Sequence, residues 1–344
     1  MNTPDFSFAL NKPPFLIAEM SGNHNQSLER ALEIVQAAAK TGVQAIKLQT
    51  YTADTITMPN VHRIADSKSL WAGEDLHELY KKAYTPWEWH REIFDYARSL
   101  NLVCFSSPFD ETAVDFLETL SCPIYKIASF ENTHHPLLKK VAQTGKPVIM
   151  STGVANIEEI QESVQVLRNN GCTQITRLKC TSTYPATPGN TNLSTIPVLQ
   201  QLFPDCHIGL SDHTMGIGVS VAAIALGARV IEKHFTLSRA EGGVDSAFSM
   251  EPAEMTQLVT ETERAFLAMG QPQLKVQAVE TESLKFKRSV YVSAPIKAGE
   301  LFSAENIRVI RPGFGLHPRY YEQLLGKPAK KDYGPGTPLA EDAL

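Results

Sequence analysis

Between residues 15 and 269, short apolar runs alternate eight times with stretches of helical hydrophobic spacing. No other feature restricts the fold so much, because strand–helix units joined in this way lay their strands in parallel. The strand-like runs are Phe15–Ala18, Ala45–Gln49, Leu102–Phe105, Ile124–Ile127, Val148–Met150, Ile175–Leu178, His207–Leu210 and Val230–Glu232. In the first helical stretch Leu28, Ala31, Leu32, Val35, Ala38 and Ala39 share one face, and Gly42 ends it. Further helical patterns fall at 87–100, 111–120, 135–144, 157–170, 194–202, 217–227 and 252–269. Eight units in about 250 residues is the count and size of a (β/α)8 TIM barrel. An open doubly wound sheet is the alternative, but no G-x-G-x-x-G follows the first strand. Phe6–Leu10, with Pro13 and Pro14 after it, reads as an extra hairpin across the barrel bottom.

The pattern changes after Gly270. Residues 271–285 read as a linker, and 286–344 hold short β-like runs (Ser289–Ser293, Ile307–Ile310) among recurring Pro and Gly. The expected organisation is a barrel domain over 1–270 and a small β-rich domain over 286–344. With 43% hydrophobic residues, the chain can bury both cores without disulfides. A net charge of -5 argues against a nucleic-acid partner, which calls for a basic face. The five cysteines are scattered, with no C-x-x-C, as suits a reducing cytoplasm. No basic segment followed by a long apolar run marks a signal peptide, and no stretch reaches membrane-spanning length.

In a parallel barrel the C-terminal strand ends and the loops after them build the active site. Here nearly every unit offers a polar group there: Glu19; Lys47 and Gln49; Ser107; Lys126, Ser129 and Glu131; Ser151; Ser182 and Tyr184; Ser211 and His213; His234. Lys47 and Lys126 lie inside otherwise apolar runs, where an unpaired ammonium costs several kcal/mol. Two such lysines ringed by hydroxyls suit a small di- or trianion; internal pairing with Glu19, Glu131 or Glu232 is the alternative. His213 and His234 end adjacent strands, and two imidazoles leave room on a divalent metal for water and substrate. Two structural histidines would look the same. His24 either orients Glu19 or packs beneath its loop.

Seven segments, taken in order, resemble the sialic acid synthase family: Ile17-Ala-Glu-Met-Ser-Gly-Asn-His-Asn, Ile46-Lys-Leu-Gln-Thr, Phe105-Ser-Ser-Pro-Phe-Asp, Tyr125-Lys-Ile-Ala-Ser, Met150-Ser-Thr-Gly, Gly209-Leu-Ser-Asp-His-Thr and Ile231-Glu-Lys-His-Phe-Thr. Lys287-Arg-Ser, Ile296-Lys-Ala-Gly-Glu and Arg311-Pro-Gly-Phe-Gly resemble that family's antifreeze-like (SAF, β-clip) domain. Within the family, Met20-Ser21, Gln26 and the Ser182-Thr183-Tyr184-Pro185 segment depart from the N-acetylneuraminate pattern.

The resemblance implies that Lys47, Lys126, Ser107, Ser129, Ser151 and Ser211 hold phosphoenolpyruvate. Glu19, Gln49, Tyr184 and Asp245 would face an amino sugar, and Arg311 would reach its acylamido group. His213 and His234 would hold a divalent metal, Mn2+ favoured over Mg2+ or Co2+. It also implies a domain-swapped homodimer. The reaction expected is condensation of phosphoenolpyruvate with the open-chain aldehyde of the sugar, with Glu19 as acid–base. A metal-dependent aldolase is the rival in chemistry, and a glycan-binding module the rival outside catalysis.

Overall fold

The computed structural model describes residues 12–67 and 70–344. The hairpin expected at Phe6–Leu10 lies outside the described residues. The chain divides into two compact units at Gly270.

The first unit is a closed, all-parallel barrel in the strand order of the sequence. Its strands are β1 (Phe15–Glu19), β2 (Ala45–Thr50), β3 (Val103–Pro108), β4 (Tyr125–Ile127), β5 (Val148–Ser151), β6 (Ile175–Cys180), β7 (His207–Ser211) and β8 (Val230–His234). The surrounding helices are α1 (Leu28–Thr41), α4 (His90–Ser99), α5 (Glu111–Thr119), α6 (His135–Ala142), α7 (Ile157–Asn169), α8 (Thr195–Leu202), α9 (Gly218–Ala225) and α10 (Pro252–Met269). Two shorter helices, α2 (Ala53–Ile56) and α3 (Leu76–Ala83), are inserted between β2 and α4.

The barrel helices lie close to the bounds expected from spacing because local chemistry sets those bounds. Ser27 accepts the backbone N–H of Arg30 to open α1, and Gly42 at φ 90° closes it. Asp110 caps α5 and Asn156 forms a reciprocal capping box with Glu159 on α7. The strands differ from expectation mainly at their C-terminal ends; β3 and β4 also begin one residue later than expected. Seven of the eight run on past the expected end, through Ser106-Ser107-Pro108, Lys179-Cys180 and Lys233-His234 among others. An apolar run stops where the polar mouth begins, but the backbone ladder continues.

A core of Leu, Ile, Val and Ala fills the space between the barrel wall and the helices. Gly209 on β7 has no room for a side chain, since a β-carbon would strike the Val230 carbonyl and the Leu178 side chain.

In the second unit, residues 271–344, turns of 3-10 helix span Ala278–Phe286. An antiparallel pair, β9 (Ser289–Val292) and β10 (Ile307–Ile310), follows, then a short helix, α11 (Tyr321–Leu324). Val290, Val292, Ile296, Phe302, Ile307 and Leu339 form its own small core. Among the described residues no helix is long and apolar enough to cross a membrane.

Candidate active site

Parallel register brings the polar strand ends together. Glu19 pairs with Lys47 across β1 and β2 and with His234 across β1 and β8. Gln49 is level with Ser107, and Ser211 with Glu232.

The centre of the cluster is a chain of buried charges. Lys47 Nζ lies 2.6 Å from Glu19 Oε2 and 3.8 Å from Glu232 Oε2. Lys126 Nζ lies 3.7 Å from Glu232 Oε1, so Glu232 stands between the two lysines. Hydroxyls surround this chain. Lys47 Nζ donates to Ser107 Oγ at 3.3 Å, Lys126 Nζ donates to Ser151 Oγ at 2.7 Å, and Ser211 Oγ donates to Glu232 Oε1 at 3.0 Å. None of the four charged residues exceeds 5% exposure. The internal pairing weighed from the sequence is therefore present: without a ligand, Glu19 and Glu232 compensate both ammonium groups.

Burial sets the protonation of the cluster. It drives the Glu19 carboxyl up to about 7, with Lys47 only partly opposing. Burial also works against charge on Lys47, but Glu19 and Glu232 outweigh it and hold the ammonium above its ordinary range. At Lys126 burial wins and the pKa falls despite Glu232. Burial likewise opposes charge on Glu232, yet Lys126 and Lys47 together keep that carboxylate below its usual value.

Beside Lys126 lies a cluster of hydroxyls. Ser129 and Ser182 converge on Gly153, where a β-carbon would collide with both hydroxyls. Asn132 Nδ2 donates to the Gly153 carbonyl at 3.0 Å and fixes that turn. Glu131 borders Lys126; its Oε2 is buried without a hydrogen-bond partner, and burial pushes its carboxyl up to about 7. Lysines and closely gathered hydroxyls suit a compact polyanion.

A second, polar side rises from β1 and the loop after β8. Gln49 Nε2 donates at 3.0 Å to both Glu19 Oε1 and Ser21 Oγ, and Ser21 Oγ in turn donates to Asp245 Oδ2. Asn23 Nδ2 ties the β1 loop to the Phe235 carbonyl at 2.9 Å. Burial holds the Asp245 carboxyl above its usual range.

His213 and His234 face each other with ring centroids 5.4 Å apart. The Nδ1–H of His213 donates to the Thr181 carbonyl at 3.0 Å, which leaves Nε2 as the free nitrogen. His234 Nδ1 is buried with no partner, and burial, then His213, keep that imidazole well below its ordinary pKa and neutral. An orphaned neutral nitrogen beside a second oriented imidazole fits a divalent cation. Among the described residues no group of three His, Cys, Asp or Glu side chains is placed to hold a metal. Tyr184 packs on this pair, 4.5 Å from His213 and 6.3 Å from His234.

The barrel thus gathers Glu19, Lys47, Gln49, Ser107, Lys126, Ser129, Glu131, Ser151, Ser182, Tyr184, Ser211, His213, His234 and Asp245 at its C-terminal end. Arg311 belongs to the second unit, exposed after β10. Three polar residues near the mouth do other work. Lys179 donates to Thr181 Oγ1 at 2.6 Å, and Lys233 pairs with Asp212 at 3.0 Å on the opposite face of the barrel wall from the site. His24 packs rather than orienting Glu19: it meets Thr85 at 3.2 Å and the edge of Trp89, and burial lowers its pKa to about 4. Glu232 and Ser21 were not among the site residues expected from sequence. The inward phase of β8, which places Glu232 and His234 on one face and Lys233 on the other, is the signal that marks Glu232.

Fold and site together define a TIM-barrel enzyme with a buried cluster of lysines, carboxylates and hydroxyls at its strand ends. The NeuB family model matches residues 34–274 and the SAF domain model residues 287–344. A pseudaminic acid synthase of Campylobacter jejuni is 42% identical over 336 residues, 97% of this chain and 98% of that protein. One from Helicobacter pylori is 41% identical over 97% of this chain and 98% of its own length. The crystal structure of an N-acetylneuraminic acid synthetase from Leptospira borgpetersenii, in complex with citrate, superposes with a TM-score of 0.72 at 33% identity, covering 80% of this chain and 92% of that one. The chain belongs to the NeuB family and carries a C-terminal SAF domain.

Proposed function

We propose that the chain is a pseudaminic acid synthase, condensing phosphoenolpyruvate and water with 2,4-diacetamido-2,4,6-trideoxy-L-altrose to give pseudaminic acid and phosphate. The observation that carries this reading is the near-full-length similarity to pseudaminic acid synthases, at higher identity than to the N-acetylneuraminic acid synthetase. The departures at Met20-Ser21, Gln26 and Ser182 agree with it. N-acetylneuraminate and legionaminic acid synthesis are the alternatives within the family.

In this reading Lys47, Lys126 and the hydroxyls of Ser107, Ser129, Ser151, Ser182 and Ser211 hold the carboxylate and phosphate of phosphoenolpyruvate. Glu19, Gln49, Glu131, Tyr184 and Asp245 align the sugar. The pocket brings phosphoenolpyruvate C3 against the aldehyde carbon, removing much of the entropic barrier. His213 and His234 would hold a divalent cation, Mn2+ in preference to Mg2+ or Co2+, which would supply Lewis-acid polarisation of the aldehyde oxygen. As C3 attacks, positive charge develops at C2 and water captures it. The tetrahedral centre then releases phosphate by C–O cleavage. Lys47 and Lys126 accelerate this step to the extent that they bind departing phosphate better than substrate. Glu19, with a pKa of about 7, is suited to exchange a proton with the aldehyde oxygen or the water.

The active unit is read as a homodimer in which the partner's SAF domain brings Arg311 to the sugar. Exposed Phe130, Val154 and Met215 on the loops after β4, β5 and β7, and exposed Ile310 and Phe314 on either side of Arg311, support an apolar contact between copies. A reducing cytoplasm suits the five free cysteines.

The test is phosphoenolpyruvate labelled with 18O in the bridging position, supplied with the altrose derivative and Mn2+. The expected result is all label in phosphate and one nine-carbon acid per phosphate. An aldolase would use pyruvate and release no phosphate, and that outcome refutes the reading.

A further inference from the structure

The site has an aromatic wall as well as a polar one. Phe248 lies 4.9 Å from His234 and 5.4 Å from Tyr184, and Tyr184 lies 6.2 Å from Trp71, centroid to centroid. The wall therefore runs from the histidine pair outward and ends at Trp71. That residue lies in the insertion between α2 and α3, on a hydrogen-bonded hairpin. Arg63 and Asp75 pair across it, Ile64 N donates to the Glu74 carbonyl at 3.0 Å, and Leu76 N donates to the His62 carbonyl at 2.9 Å. The indole Nε1–H donates to the Val244 carbonyl at 3.1 Å, next to Asp245 of the polar wall. Trp71 is held where the two walls meet, with its ring partly open.

We propose that Trp71 is a sugar-specificity residue: its ring receives the apolar, deoxygenated end of the amino sugar. The inference rests on the substrate class given under Proposed function. With the sugar's aldehyde carbon at the histidine pair, its sixth carbon is the far end of the chain, and the wall from Tyr184 leads there to an indole face. A methyl group gains from that contact. A hydroxymethyl group brings an oxygen that the ring cannot satisfy by hydrogen bonding.

The experiment measures steady-state phosphate release by the full-length Mn2+ enzyme as wild type, Trp71→Ala and Trp71→Phe. The expected result is a rise of about tenfold or more in the KM for the altrose derivative in Trp71→Ala, the usual size of a lost methyl-sized contact. The KM for phosphoenolpyruvate and the melting temperature stay at the wild-type values, and Trp71→Phe restores most of the sugar affinity. An unchanged sugar KM in Trp71→Ala overturns the inference. Equal impairment in Trp71→Phe also overturns it, because the effect would then belong to the hydrogen bond that braces Val244. The wild-type control separates the two claims: no release with the altrose derivative removes the substrate reading and this inference together, whereas normal wild-type release with an indifferent Trp71→Ala removes this inference alone.

Discussion

Lys126→Met removes one charge from the anion pocket while keeping most of the side chain's volume. Lys126 is 2% exposed, bonded to Ser151 at 2.7 Å and 3.7 Å from Glu232. Stranding a buried charge costs about 3–5 kcal/mol, but Glu232 keeps Ser211 at 3.0 Å and Lys47 at 3.8 Å. The stability loss is therefore expected below that range, and the variant should fold. On the ligand side, one or two charge-assisted hydrogen bonds at about 1.5–3 kcal/mol each disappear. A total loss of about 2–4 kcal/mol raises the KM for phosphoenolpyruvate by about 30- to 1,000-fold. The assay is phosphate release at saturating sugar, with thermal shift on added phosphoenolpyruvate as a binding readout. The KM for the sugar stays near wild type. A phosphoenolpyruvate KM within about twofold of wild type, well under the bond energies involved, would refute the placement of this anion.

Glu131 gives a pH-linked prediction. Its carboxyl is raised to about 7 by burial, so between about pH 4.5 and 7 the folded chain binds more protons than the unfolded one. Stability from this group is complete below pH 4.5 and is lost as pH rises through 7; urea melts should show Glu131→Gln gaining about 2–3 kcal/mol on wild type across that window. A difference between the two proteins that does not change with pH contradicts this. His213→Ala, His234→Ala and treatment with EDTA are each expected to abolish turnover, and Mn2+ should raise the melting temperature of wild type but not of either variant. Full activity in metal-free buffer removes the metal role. Arg311→Ala is expected to raise the KM for the sugar and leave that for phosphoenolpyruvate alone; unchanged kinetics would remove Arg311 from the site.

The barrel was legible because two periodicities, short apolar runs and helical stripes, recur often enough to define a parallel closed sheet. The insertion between β2 and α4 was not. Its α3 packs a short face of His77 and Leu79, too small a stripe to stand out in a polar segment. At the site, lysines inside apolar runs announced themselves because an ammonium there demands a partner. Which partner was not readable: Glu232 reaches both Lys47 and Lys126 only through the closure of the barrel, since β8 and β4 are distant in sequence. Trp71 escaped notice for a similar reason. Nothing in its local sequence shows that the hairpin carries it to Val244 and Tyr184, more than a hundred residues away in the chain.

The most direct test of the central claim is phosphate release from phosphoenolpyruvate with Mn2+, comparing 2,4-diacetamido-2,4,6-trideoxy-L-altrose with N-acetylmannosamine at equal concentration. Release with the altrose derivative and none above background with N-acetylmannosamine is the result predicted. Release with N-acetylmannosamine alone would contradict the substrate assignment while leaving the NeuB-family anion pocket in place.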